Sequence, residues 1–358
     1  MSHSDIIVIG AGVSGLVVAN EMQRAGSSVV VVEKARGSGG RLSSKRAELD
    51  NGSAFTFDLG CASFSAQSDG FKQALEAAGS SVATIEEDGE KRYCGTPRNS
   101  MMTRHLADQL EVYFSHRVFG IERCDAGWKV SCETADGDIK RWLCSRLIIS
   151  APPAQSAALL PAGHAAQRIL EKSYIAPQWV AAFALDEKAV SKALLERLTE
   201  NPDIEKVSIE NDKPVRDYEA GVIVCVIHFS PAWTNQRLSW TKPQVQEHAT
   251  DCLGSIEFKG LNPRALHVHR WLYSLPTAQV TALPTNPSME RASYYLDDSG
   301  LALCGDYLAS QEYEGVERAW LSAKALASAM CRESEDGATM KASRVEEAQK
   351  SEANYHGV

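Results

Sequence analysis

Apolar positions are densest at the very start of the chain. Ile6-Ile7-Val8-Ile9 is a short unbroken apolar run, as expected of a strand buried on both faces of a parallel sheet. A glycine turn follows, and Val13 to Ala25 has helical spacing that Gly26 ends. Val29 to Val32 predicts a second buried strand, so a β-α-β unit opens the protein. Residues 100–112, SMMTRHLADQLEV, are spaced as a helix. Arg117 to Ile149 predicts several strands, with turns at Asp125-Ala126-Gly127 and Asp136-Gly137. Leu147-Ile148-Ile149 is one more buried strand and runs into APPAQ, whose prolines stop it at an expected crossing between domains.

The texture then changes. Residues 155–295 hold WVAAFAL, VIVCVIHF and LHVHRWLYSL, strand-like pieces between polar and proline-rich loops, with helical stretches near 188–199 and 243–254. This predicts a second domain on an antiparallel sheet. Leu301-Ala302-Leu303-Cys304 is a buried strand again, and GVERAWLSAKALASAM, from Gly315, is a helix with Val316, Ala319, Trp320, Ala323 and Ala327 in one stripe. Beyond Met330 the residues are charged and small and read as a flexible tail.

Composition narrows the chemistry. The 358 residues are 44% apolar and carry a net charge of -9, which argues against a nucleic-acid or anionic-membrane partner. Nine cysteines without a C-x-x-C pair read as reduced thiols, not as a disulfide framework or zinc site. No secretory signal or apolar run of about 20 residues is visible, so a cytoplasmic protein is expected.

Gly10-Ala11-Gly12-Val13-Ser14-Gly15 is G-x-G-x-x-G between a predicted strand and helix, the context that makes it a dinucleotide cradle. Gly10 permits the turn, Gly12 lets a pyrophosphate approach backbone, and Gly15 lets the helix pack on the strand. The helix N-terminus offers N–H groups to the phosphates, and Glu33 closes the second strand, where it can accept ribose hydroxyls. No second such motif occurs, so one dinucleotide is expected. FAD is favoured over NAD by two features. Gly39-Gly40-Arg41 sets a guanidinium on a flexible turn within reach of a pyrophosphate. Gly305-Asp306 ends a late strand with an acid suited to ribityl hydroxyls, and the helix from Gly315 can aim its dipole at the flavin. The basic stretch EKARGSGGRLSSKR thereby divides: Glu33 and Arg41 serve the dinucleotide with Ser43 as a helper, Lys34 and Arg36 read as solvated charge, and Lys45 and Arg46 are candidates beside substrate phosphates.

Together these motifs resemble the flavoprotein superfamily of amine oxidases and phytoene desaturases. ARGSGGRLSSKR, DLGCASFSA, CGTPRNSMMTRHLADQL, SPAWTNQRL, HRWLYSLP and LCGDYLASQEYEGVERAWLSA are similar, in order and spacing, to the renalase family over residues 4–330. The resemblance implies an α/β fold: a Rossmann-type FAD-binding domain with a second domain on a mainly antiparallel sheet, a p-hydroxybenzoate hydroxylase-like arrangement. The FAD-binding domain is expected over 1–75, 96–153 and 296–330, the substrate domain over 76–95 and 154–295, and the tail over 331–358. It implies non-covalent FAD held by Gly10, Gly12, Gly15, Glu33, Arg41, Asp306 and the backbone at Val316, with Val118 offering backbone to the adenine. Ala11, Val13, Ser14, Lys34, Gly40, Leu42, Gly60, Gly305 and Gly315 flank these as further expected cofactor contacts.

The substrates implied are the 2- and 6-dihydro isomers of NAD(P)H, oxidised by hydride transfer to flavin N5 with oxygen reduced to hydrogen peroxide. Such a transfer needs no catalytic base. One departure bears on this: the family's Gln-Tyr-Phe-like run after Asp-Leu-Gly is here Cys61-Ala62-Ser63-Phe64. Substrate-pocket candidates are Cys61, Ala62, Phe64, Trp233, His269 and Trp271. In LHVHRWLYSL a strand puts His267, His269 and Trp271 on one face and Arg270 on the other; with no third ligand nearby, no metal is expected. The alternatives are a flavin amine oxidase, for which no aromatic cage is visible, a dehydrogenase of another small substrate, and a non-catalytic flavin-binding sensor or partner protein.

Overall fold

The computed structural model describes residues 2–87, 89–255, 263–276 and 293–333. β1 (Ser2–Ile9), α1 (Val13–Arg24) and β2 (Val29–Val32) form the predicted unit. β1 runs parallel to β2 on one side and to the strand Ile139–Ile149 on the other. Leu301–Cys304 and Glu111–Tyr113 extend the sheet in parallel at its two flanks, and His116–Cys124 and Gly127–Thr134 add an antiparallel hairpin. Every residue of Val29–Val32 and Leu301–Cys304 is buried, because α1 and the helix over 315–333 cover one face while Trp128, Val130, Trp142, Leu160 and Leu170 cover the other.

Two sequence expectations are revised. The helix expected over 100–112 stops at Ala107, and Glu111–Tyr113 pairs with β2 instead. Hydrogen bonds offered by an open sheet edge outweigh the weak local preference for another helical turn. The last helix continues to 333, through the first three residues of the stretch expected as a tail; residues 334–358 lie outside the described residues.

The second sheet is antiparallel throughout, in the order Ile204–Ile209, Val222–Phe229, Ile175–Asp186, Ala265–Pro276. One face packs Trp179, Ala181, Phe183, Cys225 and Ile227 against the helix Lys242–Ser255 through Val245, Ala249 and Leu253. The other packs Val180, Ala182, Val224 and Val226 against Phe55 and Phe57 of the hairpin Ser44–Glu48/Ala54–Asp58. With both faces covered, Val222–Phe229 is buried at every position, which is why its sequence shows no alternation. A second hairpin, Val82–Glu87 with Glu90–Gly95, closes beside Phe64. Among the described residues no helix is long and apolar enough to cross a membrane.

Candidate functional site

The glycine motif forms as the spacing requires. Gly10 has φ +107°, a left-handed value that favours glycine, and Gly39 N–H donates to Ala11 O at 3.0 Å, folding the second glycine turn onto the first. A Cβ on Gly15 would lie 2.0 Å from Gly10 O, so Gly15 acts by letting α1 approach the strand end. A Cβ on Gly12 would meet nothing within 4 Å: the space over it is an open cradle at the N-terminus of α1. Glu33 is fixed by two backbone donors, Ala11 N–H to Oε2 at 2.8 Å and Ala35 N–H to Oε1 at 2.7 Å. Each oxygen retains acceptor capacity for a ribose hydroxyl. Arg41 and Asp306, expected to hold the pyrophosphate and the ribityl chain separately, pair with each other through bonds of 2.7 and 2.6 Å, and Arg41 also donates to Ser274 O at 3.1 Å. Burial lowers the Arg318 guanidinium, which lies near the same pair with its Nε unsatisfied.

One cavity of about 1940 Å³ joins this cradle to the second sheet. Gly10, Gly12, Val13, Ser14, Glu33, Lys34, Gly40, Arg41, Leu42 and Val118 line one end; Gly305, Asp306, Gly315 and Val316 line the middle with Gly60, Cys61, Ala62 and Phe64. Gln178, Glu205, Lys206, His228, Trp271 and Ser274 form the wall given by the sheet. The segment after Asp58 is held by its carbonyls. Trp271 Nε1 donates to Leu59 O at 3.1 Å, His228 Nε2 to Gly60 O at 2.7 Å, Asn99 Nδ2 to Cys61 O and Ala62 O at 2.6 and 3.1 Å, and Arg92 Nη2 to Ser63 O at 3.3 Å. Four side chains from distant elements thus fix five successive peptide groups of the cavity wall, a preorganisation that loops alone do not give.

Charge around this wall is organised in two clusters. Asp58, Glu210, Lys213 and Arg216 are all buried; Lys213 Nζ lies 3.0 Å from Asp58 and 2.5 Å from Glu210, and Arg216 reaches Asp58. Lys213 and Arg216 hold the Asp58 carboxyl below the usual range despite its burial, whereas burial pushes Glu210 up. The second cluster is half-buried: Arg92 pairs with Glu314 at 2.8 Å and Glu87 at 3.0 Å, and Lys206 with Glu87 at 2.8 Å. Ser63 Oγ donates to Glu87 Oε2, so the cluster ties the sheet, the 82–95 hairpin and the start of the last helix to the same wall. Burial drives His228 down to about 4, assisted by Lys206 and Lys213, and burial lifts the Cys61 thiol to about 11.

Several expected site residues sit elsewhere. Trp233 is core, stacked at 4.3 Å on Phe229 and 4.8 Å on His248, and does not line the cavity. His269 shares the expected strand face with His267 and Trp271 but packs edge-on against Trp271 behind the lining. Lys45 and Arg46 lie on the strand Ser44–Glu48 and are not among the residues that line the cavity. Ala11 and Gly15 act through backbone and packing rather than as cavity surface. Gln178, Glu205, Lys206 and His228 were not foreseen; the available signal was a polar residue interrupting an apolar strand, as Gln178 does in IAPQWVAAFALD. Among the described residues no group of three or more His, Cys, Asp or Glu side chains could hold a metal ion.

The sequence profile of the family described as flavin containing amine oxidoreductase matches residues 73–331, and that of an NAD(P)-binding Rossmann-like domain matches residues 8–77. The chain belongs to the flavin containing amine oxidoreductases. Solved structures with the same fold include a putrescine oxidase bound to putrescine (12% identity, TM-score 0.63, covering 92% of this chain and 99% of that one). Others are cyclohexylamine oxidase from Brevibacterium oxydans IH-35A (12%, 0.60, 91% and 99%) and a protein from Exiguobacterium sp. 255-15 described as a protoporphyrinogen oxidase (13%, 0.68, 93% and 99%). The chain is an FAD-dependent oxidoreductase. Its residues fit FAD: the cradle over Gly12 is open, Glu33 is preset, and the unsatisfied Arg318 Nε lies beside the Arg41–Asp306 pair.

Proposed function

We propose that the chain is an amine oxidase that removes hydride from a carbon adjacent to an amine nitrogen. The observation that supports this reading is the charge of the sheet wall. Lys206 is paired with Glu87 and Lys213 with Asp58 and Glu210, and His228 is held neutral. Glu205, by contrast, has an amide as its partner. A wall whose lysines are paired and that keeps Glu205 without a cation suits a nitrogen compound. Bound FAD supplies the hydride acceptor, with dioxygen as the final oxidant giving hydrogen peroxide. Gly12, Glu33 and Arg41 would hold the cofactor, and the pinned Leu59–Ser63 segment with Trp271 would set the distance between substrate and cofactor. No base is needed, since the α-carbon of a neutral amine gives up hydride from its C–H bond while the nitrogen lone pair forms the C=N bond of the iminium product.

A second reading, oxidation of dihydronicotinamide dinucleotide isomers, is favoured by the renalase-like segments. Anaerobic mixing of the FAD-loaded protein with a panel of amines and of 2- and 6-dihydro isomers, followed by flavin absorbance near ~450 nm, decides between them. Bleaching by amines supports the first reading, bleaching by the isomers alone the second, and no bleaching a non-catalytic flavoprotein.

A further inference from the structure

The sheet wall is irregular at two points. Ile204 pairs with Phe229 and Lys206 with His228, so Glu205 stands as an extra residue in its strand. In the next strand pair, Ala176 faces Leu275 while Gln178 faces Trp271, a second break in register. Bulges of this kind re-aim side chains, and they gather beside active sites. Both lie at the same end of the sheet, and their side chains meet. Gln178 Nε2 donates to Glu205 Oε2 at 2.8 Å and to Phe229 O at 3.1 Å, and Ser274 Oγ donates to Gln178 Oε1 at 2.9 Å. Both amide protons of Gln178 are therefore spent, and its orientation is fixed from behind. Gln178 is itself 4% exposed, a buried amide whose role is to hold an acceptor in place. Ser274 gives its carbonyl to Arg41, so the same strand end carries the cofactor's arginine.

Glu205 is the member of this set that faces the cavity as an exposed side chain. It makes no ion pair among the described residues, whereas the carboxylates of the two charge clusters, Glu87, Asp58, Glu210 and Glu314, are all paired. Glu205 differs from the unpaired Glu86 and Glu196 of the cavity rim in being held by the buried Gln178 amide. We propose that Glu205 is a specificity-determining residue that receives a second, non-reacting ammonium group of the substrate. The oxidised nitrogen itself is a poor partner, because a carboxylate beside it would hold it protonated and remove the lone pair that hydride loss requires. The substrate class is then one with two amino groups, one oxidised as the neutral amine and one anchored as the ammonium. This rests on the amine reading for the substrate's chemistry, and its test is kept separate from turnover.

Hexamethonium, a dication without a nitrogen lone pair, and suberate, a dianion of similar length, cannot be oxidised as amines. Each is titrated into the FAD-loaded protein while the flavin absorbance is recorded. The expected result is that hexamethonium perturbs the flavin spectrum saturably and suberate does not, and that Glu205→Gln weakens hexamethonium by about tenfold. Glu205→Asp, which keeps the charge, restores part of the loss. Equal affinity for the two probes, or unchanged hexamethonium affinity in Glu205→Gln, overturns the assignment whatever the amine panel gives. Failure of amines to bleach the flavin, with hexamethonium binding intact and dependent on Glu205, overturns the amine reading and leaves the cation site standing.

Discussion

Gly12 and Gly15 occupy the same motif and do different work, which makes them separable by mutation. A methyl at Gly15 would lie 2.0 Å from Gly10 O, so Gly15→Ala must displace backbone, and both melting temperature and FAD affinity should fall. A methyl at Gly12 meets nothing within 4 Å and the residue's φ of -83° is open to any side chain. Gly12→Ala should therefore leave the melting temperature of the FAD-free protein unchanged while FAD affinity drops at least about tenfold, as read by flavin fluorescence. Equal losses of stability in the two variants would contradict the cradle. His228 gives a second residue-scale prediction. Its Nε2–H donates to Gly60 O and burial holds the ring at about 4 against an ordinary 6.5. As pH falls below 6.5 the unfolded chain takes up the proton first, so stability present above that value is lost between 6.5 and 4, by on the order of 3 kcal/mol. Nitrogen-15 histidine NMR should find the Nε2–H tautomer persisting to about pH 5. Titration of this ring near 6.5 would contradict the buried wall.

At the scale of elements, the buried cluster of Asp58, Glu210, Lys213 and Arg216 joins the hairpin end to the turn after Ile204–Ile209. Lys213→Met leaves two buried acids short of a cation and should cost about 3–5 kcal/mol in denaturant unfolding. Arg92→Met, at the more open cluster, should cost about 1 kcal/mol or less. Losses of the same size would mean the two clusters are equally wet. The elements themselves were legible to different degrees. β1, α1 and β2 could be read because each is announced locally, by a four-residue apolar run or by glycine punctuation. The helix over 100–112 was overestimated because the edge of β2, which claims Glu111–Tyr113, has no trace in that stretch. Trp233 was misplaced for a related reason: an aromatic after a Ser-Pro start looks the same from sequence whether it faces a pocket or the core, and Phe229 and His248 decide.

Across the whole molecule, the cofactor half of the cavity was legible and the substrate half was not. Gly10 to Glu33 is one continuous signature, whereas the Arg41–Asp306 pair spans 265 positions and the wall at Leu59–Ser63 is pinned from Arg92, Asn99, His228 and Trp271. No spacing rule joins such residues; only the docking of the second sheet onto the first domain does. The pairing of Lys206 and Lys213, with Glu205 held by an amide instead of a cation, is likewise a property of the assembled cavity. The central claim is that this cavity delivers an amine to FAD. The most direct measurement is anaerobic stopped-flow absorbance of the FAD-loaded protein against amines and dihydronicotinamide isomers. Rapid bleaching by a dicationic amine is the predicted result, and bleaching by the dihydronicotinamide isomers alone would contradict it.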